Sequence, residues 1–139
     1  MDLIFADEGL EFVLQRIVGS PSIGTGGLWW KVFTNNVTPG RSTVLSDLTI
    51  DGTDFPTFQL DDTDLTTATL TSDTQYLQGS VINFTNGSGS PINVYGYAIL
   101  DETATHVVAA ARLDGAPIAV AAAASLPVLP VLINRSQLP

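Results

Sequence analysis

The feature that most constrains this chain is a rhythm of short alternating runs broken by turn residues. From residue 28 onward, β-branched and aromatic stretches recur, and Asn, Asp, Gly, Pro or Ser closes each one. Segment 28–35 (LWWKVFTN) sets Leu28, Trp30 and Val32 on one strand face and Trp29, Lys31 and Phe33 on the other. Asn35, Asn36, Pro39 and Gly40 then supply turn chemistry. Further strands are expected at 58–60, at 66–71, within QYLQGSVINF, and at 92–100, 107–113, 118–122 and 126–133. With TNGSGSP as a connecting loop, 81–86 and 92–100 read as a hairpin. The AVAAAA run at 119–124 has helical propensity, but it is short and flanked by proline. Seven to nine short strands with turns every 8–12 residues define a mostly-β chain, a sandwich or a barrel.

One helix is expected before the strands begin. Leu10, Val13, Leu14 and Ile17 form a single apolar stripe over 7–18. Asp7, Glu8 and Glu11 in its first turn and Arg16 near its last match the helix dipole. Gly19 and Pro21 stop it. Residues 1–6 (MDLIFA) are then an apolar arm that packs on its own domain or reaches a neighbour. At 139 residues, without a repeat or linker, the chain reads as one domain: arm, helix, and strands over 28–134.

Composition narrows the function. Five basic residues face fourteen acidic ones, a net charge of −9, and the bases are scattered at Arg16, Lys31, Arg41, Arg112 and Arg135. Nucleic acid and anionic membrane surfaces both need clustered cations, so neither is an expected partner. The uncharged stretch 116–133 is interrupted by Pro117, Pro127 and Pro130, and no membrane span is expected there. The acidic N-terminus lacks the positive charge of a signal peptide. The absence of Cys removes disulfides, thiolate zinc sites and a thiol nucleophile. Only 14% of residues are charged, while 26 are Ser or Thr. A surface of hydroxyls with few charges suits a protein that buries its exterior against partners.

The candidates for chemistry each have a plainer structural reading. His106 is the only imidazole, it precedes a strand, and no G-x-S-x-G elbow presents a serine to it. The run Gly24 to Gly27 follows a helix and opens a strand, the reverse of a phosphate loop, and reads as a connector. Asp51, Asp54, Asp61, Asp62 and Asp64 are conceivable cation ligands, yet EF-hand spacing fails and Asp-rich turns are favoured. Two of these carboxylates could serve a glycosidase only across a cleft of defined width. Trp29, Trp30, Tyr76, Tyr95 and Tyr97 could stack on sugars, although alternation sends one of each neighbouring pair inward. The sequons at Asn36, Asn83, Asn86 and Asn134 read as by-products of composition. No cofactor is expected.

Two longer stretches carry a resemblance. LIFADEGLEFVLQRIVG followed by WWKVFTNNVTPGRSTVLSDLT, and INFTNGSGSPINVYGYAILDETATHVVAAARLDGAPIAV further on, resemble small structural proteins of tailed bacteriophages. The shared features are an apolar helix leading into a strand that ends F-T-N-N, then T-P, Y-G-Y, and A-R-x-x-G-A-P. Most of the chain outside 55–80 takes part. The resemblance implies a jelly-roll-like β-sandwich that decorates a capsid exterior as a cement subunit, with no catalytic residue. It implies the major capsid protein as partner, together with copies of the chain itself as a dimer or trimer. Leu3, Ile4 and Phe5 of the arm, and Trp29, Trp30, Tyr95 and Tyr97, would then provide packing or contact surface. A tail- or fibre-associated module that binds host glycan is the alternative, with an exposed aromatic patch as its mark.

Overall fold

The computed structural model describes residues 4–5, 27–60, 64, 66–71 and 74–135. The helix expected at 7–18, and Leu3 of the arm, lie outside these residues. In chain order the strands are β1 (Ile4–Phe5), β2 (Leu28–Phe33), β3 (Ile50–Asp51), β4 (Phe58–Leu60), β5 (Thr66–Thr71) and β6 (Thr74–Gln78). They continue with β7 (Ile82–Thr85), β8 (Ile92–Val94), β9 (Gly96–Leu100), β10 (Val107–Arg112), β11 (Ile118–Val120), β12 (Ser125–Val128) and β13 (Val131–Arg135). One 3-10 turn, Leu45–Asp47, interrupts them. The described chain is therefore mostly β, arranged in several antiparallel sheets.

Pairing turns 74–135 into one long antiparallel ribbon. β9 pairs with β10 across the loop at 101–106. Moving away from that tip, β8 pairs with β11, β7 with β12 and β6 with β13. Other strands add along the outside: β2 on β9, β1 on β10 and β5 on β6. The arm at Ile4 and Phe5 thus lies along β10 of its own chain, opposite Ala110 and Ala109.

The hairpin expected between 81–86 and 92–100 does not form. β7 and β8 are successive parts of one arm, and the chain reverses one strand later, between β9 and β10. The bend at 86–91 is instead fastened to the opposite arm. Asn86 is fully buried, and its Nδ2 donates to Ser90 O and Val120 O, both at 2.9 Å. Its Oδ1 accepts from Ser88 N. Buried polar groups demand partners, and these three bonds hold the bend in place.

The β10–β9–β2 sheet is buried on both faces. On one face Trp30, Val32, Tyr97, Ile99, Val108, Ala109 and Ala111 join Ile82 and Phe84 of β7, with Val94, Val120 and Val128, in a single core. Four strands of the ribbon therefore pack over the sheet formed at its tip. On the other face Phe33, Ala98, Leu100, Val107 and Ala110 are covered by Leu48 and its neighbours in the 35–50 segment. Asn35 fastens that cover, donating from Nδ2 to Asp47 O and accepting at Oδ1 from Thr49 N, each at 2.8 Å. Burial on both faces explains why β9 and β10 read as unbroken apolar runs. A register shift between Val107 and Ala109 lets the consecutive Val108 and Ala109 enter the same core.

Candidate interaction surface

Sheet geometry divides the expected aromatic residues. Trp30 and Tyr97 lie inside the core, stacked with ring centroids 5.6 Å apart, and are 0% and 4% exposed. Burial pushes the Tyr97 phenol above its ordinary pKa. These two side chains are thus core filling, the packing side of the packing-or-contact role expected for them, and they offer no outward contact surface. Trp29 and Tyr95 are half-buried at the margin of the second core face. The Lys31 ammonium stands 5.4 Å from the centre of the Trp29 ring, and the Arg112 guanidinium 5.3 Å from that of Tyr95. Both rings are therefore already engaged by cations of their own chain. Arg112 also donates to Val37 O.

Trp29 leads to the ribbon tip, where its Nε1 donates to Glu102 O at 3.0 Å. There Asp101 organises the loop at 101–106. Its Oδ1 accepts from Thr105 N at 2.7 Å and His106 N at 3.0 Å. Its Oδ2 accepts from the Thr103 hydroxyl at 2.6 Å and lies 3.2 Å from His106 Nδ1. Burial raises the Asp101 pKa, but the Thr103 hydroxyl, the His106 and Thr105 amides and the His106 ring together outweigh it. The carboxyl titrates at about 2. Ala104 takes a left-handed backbone, φ 56°, at the apex. An Asp–His pair is half of a hydrolytic triad. However, both described partners of the imidazole, Asp101 and Thr105, are on Nδ1, and no nucleophile is brought to Nε2 among the described residues. What the arrangement does is close a hairpin.

The aspartates weighed as cation ligands are used in a similar way. Asp51 Oδ1 accepts from Thr53 N and Asp54 N, which shapes its own turn. Asp64 is exposed, and Asp61 and Asp62 lie outside the described residues. Among the described residues no group of three His, Cys, Asp or Glu side chains could hold a metal ion. No helix among them is long and apolar enough to cross a membrane.

A different surface stands out on the ribbon's other side. In β7 and β12, Ile82, Phe84 and Val128 point into the core, so alternation turns Asn83, Thr85, Ser125 and Pro127 outward. Register places Asn83 opposite Pro127 and Thr85 opposite Ser125, whose hydroxyl oxygens are 2.7 Å apart. One residue beyond the last pair of this register, Ile82 and Val128, lie Val81 and Leu129. These two are 53% and 46% exposed, and they are the exposed large hydrophobic residues of the described chain. The outward ladder thus grades from an apolar pair to a hydroxyl pair. It lies within the spans 74–100 and 115–134, which hold no Asp, Glu, Lys or Arg. The sequence reading missed this ladder, although its signal was present in the alternation of SVINFT and SLPVL and in the missing charges.

No family model, curated protein or solved structure matches the chain.

Proposed function

We propose that the chain is a non-enzymatic structural subunit of a tailed-phage particle. In this reading it is a cement or decoration protein on the capsid exterior, bridging neighbouring major capsid proteins. The observation that carries the reading is the contrast between the polar groups that fasten loops and the outward ladder of the ribbon. The polar groups that could do chemistry, Asp101, Asp51 and Asn35, are spent on holding loops. The ladder from Val81–Leu129 to Thr85–Ser125 is outward, uncharged and unoccupied by other parts of the described chain.

A cement subunit acts through contact area, and many copies on a symmetric shell turn modest contacts into firm attachment. An uncharged ladder of small residues is inexpensive to desolvate against a protein neighbour, because no ion must leave water. The resemblance in the F-T-N-N, Y-G-Y and A-R-x-x-G-A-P stretches supplies the phage setting. A ribbon folded so that four of its strands cover its own tip suits a jelly-roll-like β-sandwich.

Fractionating particles of the phage that encodes the chain tests this reading. The chain is expected in purified heads, released together with the outer shell. Recovery in tail fractions alone, with binding on a glycan array, would replace this reading with the fibre-associated module. Absence from the particle would overturn both.

A further inference from the structure

We propose that Asn86–Gly87 is a self-modification site that the fold keeps latched. When the bend at 86–91 opens, Asn86 converts to aspartate or isoaspartate, and the bend does not close again. Asn86 is the one asparagine of the chain that is followed by glycine. Cyclisation requires the next backbone nitrogen to reach the side-chain carbonyl carbon, and glycine has no Cβ to obstruct that approach or restrict its backbone. Hydroxide takes the proton of the Gly87 amide, and the nitrogen attacks Asn86 Cγ. The new N–C bond closes a five-membered imide as the Cγ–Nδ2 bond breaks, and Nδ2 leaves as ammonia with a proton from water, which restores the hydroxide. Water then opens the imide at one carbonyl to give aspartate, or at the other to give isoaspartate, whose main chain runs through the side-chain carbon. Water is the only reagent consumed.

In the closed bend the groups that must move are held. Gly87 N, the nucleophile, donates to Asp54 O at 2.7 Å. Nδ2, the leaving group, donates to Ser90 O and Val120 O. Asn86 N donates to Ala124 O and Ala123 N donates to Asn86 O, each at 2.9 Å, which fixes the backbone against the turn that cyclisation needs. Asn86 is fully buried, so hydroxide and water are kept out. The electrophile is not protected in this way. Ser88 N donates to Oδ1 at 2.9 Å, which polarises the carbonyl and favours charge on its oxygen. The latch therefore acts on the nucleophile, the leaving group and water, and it is closed from outside the bend, by Asp54 on one side and 120–124 on the other. Asp51 Oδ1 shapes the turn that presents Asp54 O, accepting from Thr53 N and Asp54 N. Neither product refits. Aspartate sets a buried anion against two carbonyls, and isoaspartate adds a carbon to the main chain where Asn86 N and O are both paired. Opening thereby becomes irreversible.

Mass spectrometry of the full chain, held at mildly alkaline pH in buffer or in unfolding guanidinium chloride, reads the conversion at 86, and enzymatic methylation of isoaspartate reports the branched product. In denaturant, Asn86 should convert ahead of every other asparagine, and in buffer it should convert slower by about a hundredfold or more. Gly87→Ala should slow the reaction in denaturant, where the fold plays no part. Asp51→Ala should speed it in buffer and leave it unchanged in denaturant. Leu100→Ala, in the other core, should speed it less at an equal loss of melting temperature. Chains converted in denaturant and returned to buffer should melt below the parent. Chains held as long in acidic denaturant, where the Gly87 amide keeps its proton, should recover fully. Equal conversion at 86 in buffer and in denaturant would overturn the proposal, as would full recovery of converted chains. An unchanged rate in Asp51→Ala, or a Leu100→Ala effect as large, would overturn the latch at Asp54. None of these outcomes bears on whether the chain is found in phage heads.

Discussion

Asp101 and Asn86 perform the same task at the tip of one ribbon arm and midway along it. Each buries a short polar side chain and uses it to satisfy the backbone where the chain bends. Asp101 does so as an anion. Its folded-state pKa of about 2 lies below the ordinary 3.8, so folding favours the charged form. That contribution is complete above pH 3.8 and is lost as the pH falls through 2, with a size of about 2 kcal/mol. Urea melts should therefore show Asp101→Asn less stable than the parent at pH 7, with most of the gap closed at pH 2. A gap independent of pH would contradict the role given to the carboxylate. Asn86 works as a neutral donor to two carbonyls. Asn86→Asp at neutral pH replaces that donor with a buried anion facing Ser90 O and Val120 O, and should cost about 3 kcal/mol or more. Thermal melts should show part of this loss recovered on acidification, as the new carboxyl protonates. Neither role could be read from sequence, where Asn86 counted only as a sequon.

Strands were more legible than their partners. Alternation and turn residues located β2, β4, β5, β10 and β11 to within a residue or two, because period two is a local property of the chain. Pairing is not local. The hairpin expected between 81–86 and 92–100 gave way to a ribbon because the 86–91 bend is fastened to Val120 on the far arm, which no nearby residue reveals. The Y-G-Y motif shows the same limit. Strict alternation sets Tyr95 and Tyr97 on one face, yet Tyr97 packs in one core and Tyr95 at the margin of the other. The phase slips at Tyr95, between β8 and β9, where Tyr95 N donates to Phe33 O and Leu113 N to Tyr95 O. Gly96 follows because a Cβ there would collide with the Phe33 ring and Ala111 O. Gly96→Ala should accordingly cost about 3 kcal/mol by forcing apart β2, β9 and β10. Denaturant melts check this, and an unchanged midpoint would show that the three strands are not in such close contact. The ladder facing away from the core needed both lessons: alternation gives its residues, but only the β7–β12 register sets Asn83 against Pro127 and Thr85 against Ser125.

At the scale of the whole molecule, charge is distributed unevenly along the chain. Acidic residues gather over 47–73 and at the ribbon tip, while the spans forming β6 to β9 and β11 to β12 carry none. In the proposed reading, the uncharged sheet face would meet protein neighbours while the acidic loops keep the net charge far from zero. Reconstitution measures the consequence for a structural subunit directly. Phage heads stripped of the chain, or assembled without it, are heated with and without the purified protein while genome release is followed. The account predicts that added chain raises the temperature of release, that the effect saturates at a fixed number of copies per head, and that Val81→Asp and Leu129→Asp weaken it. Release at the same temperature with and without saturating chain would contradict it.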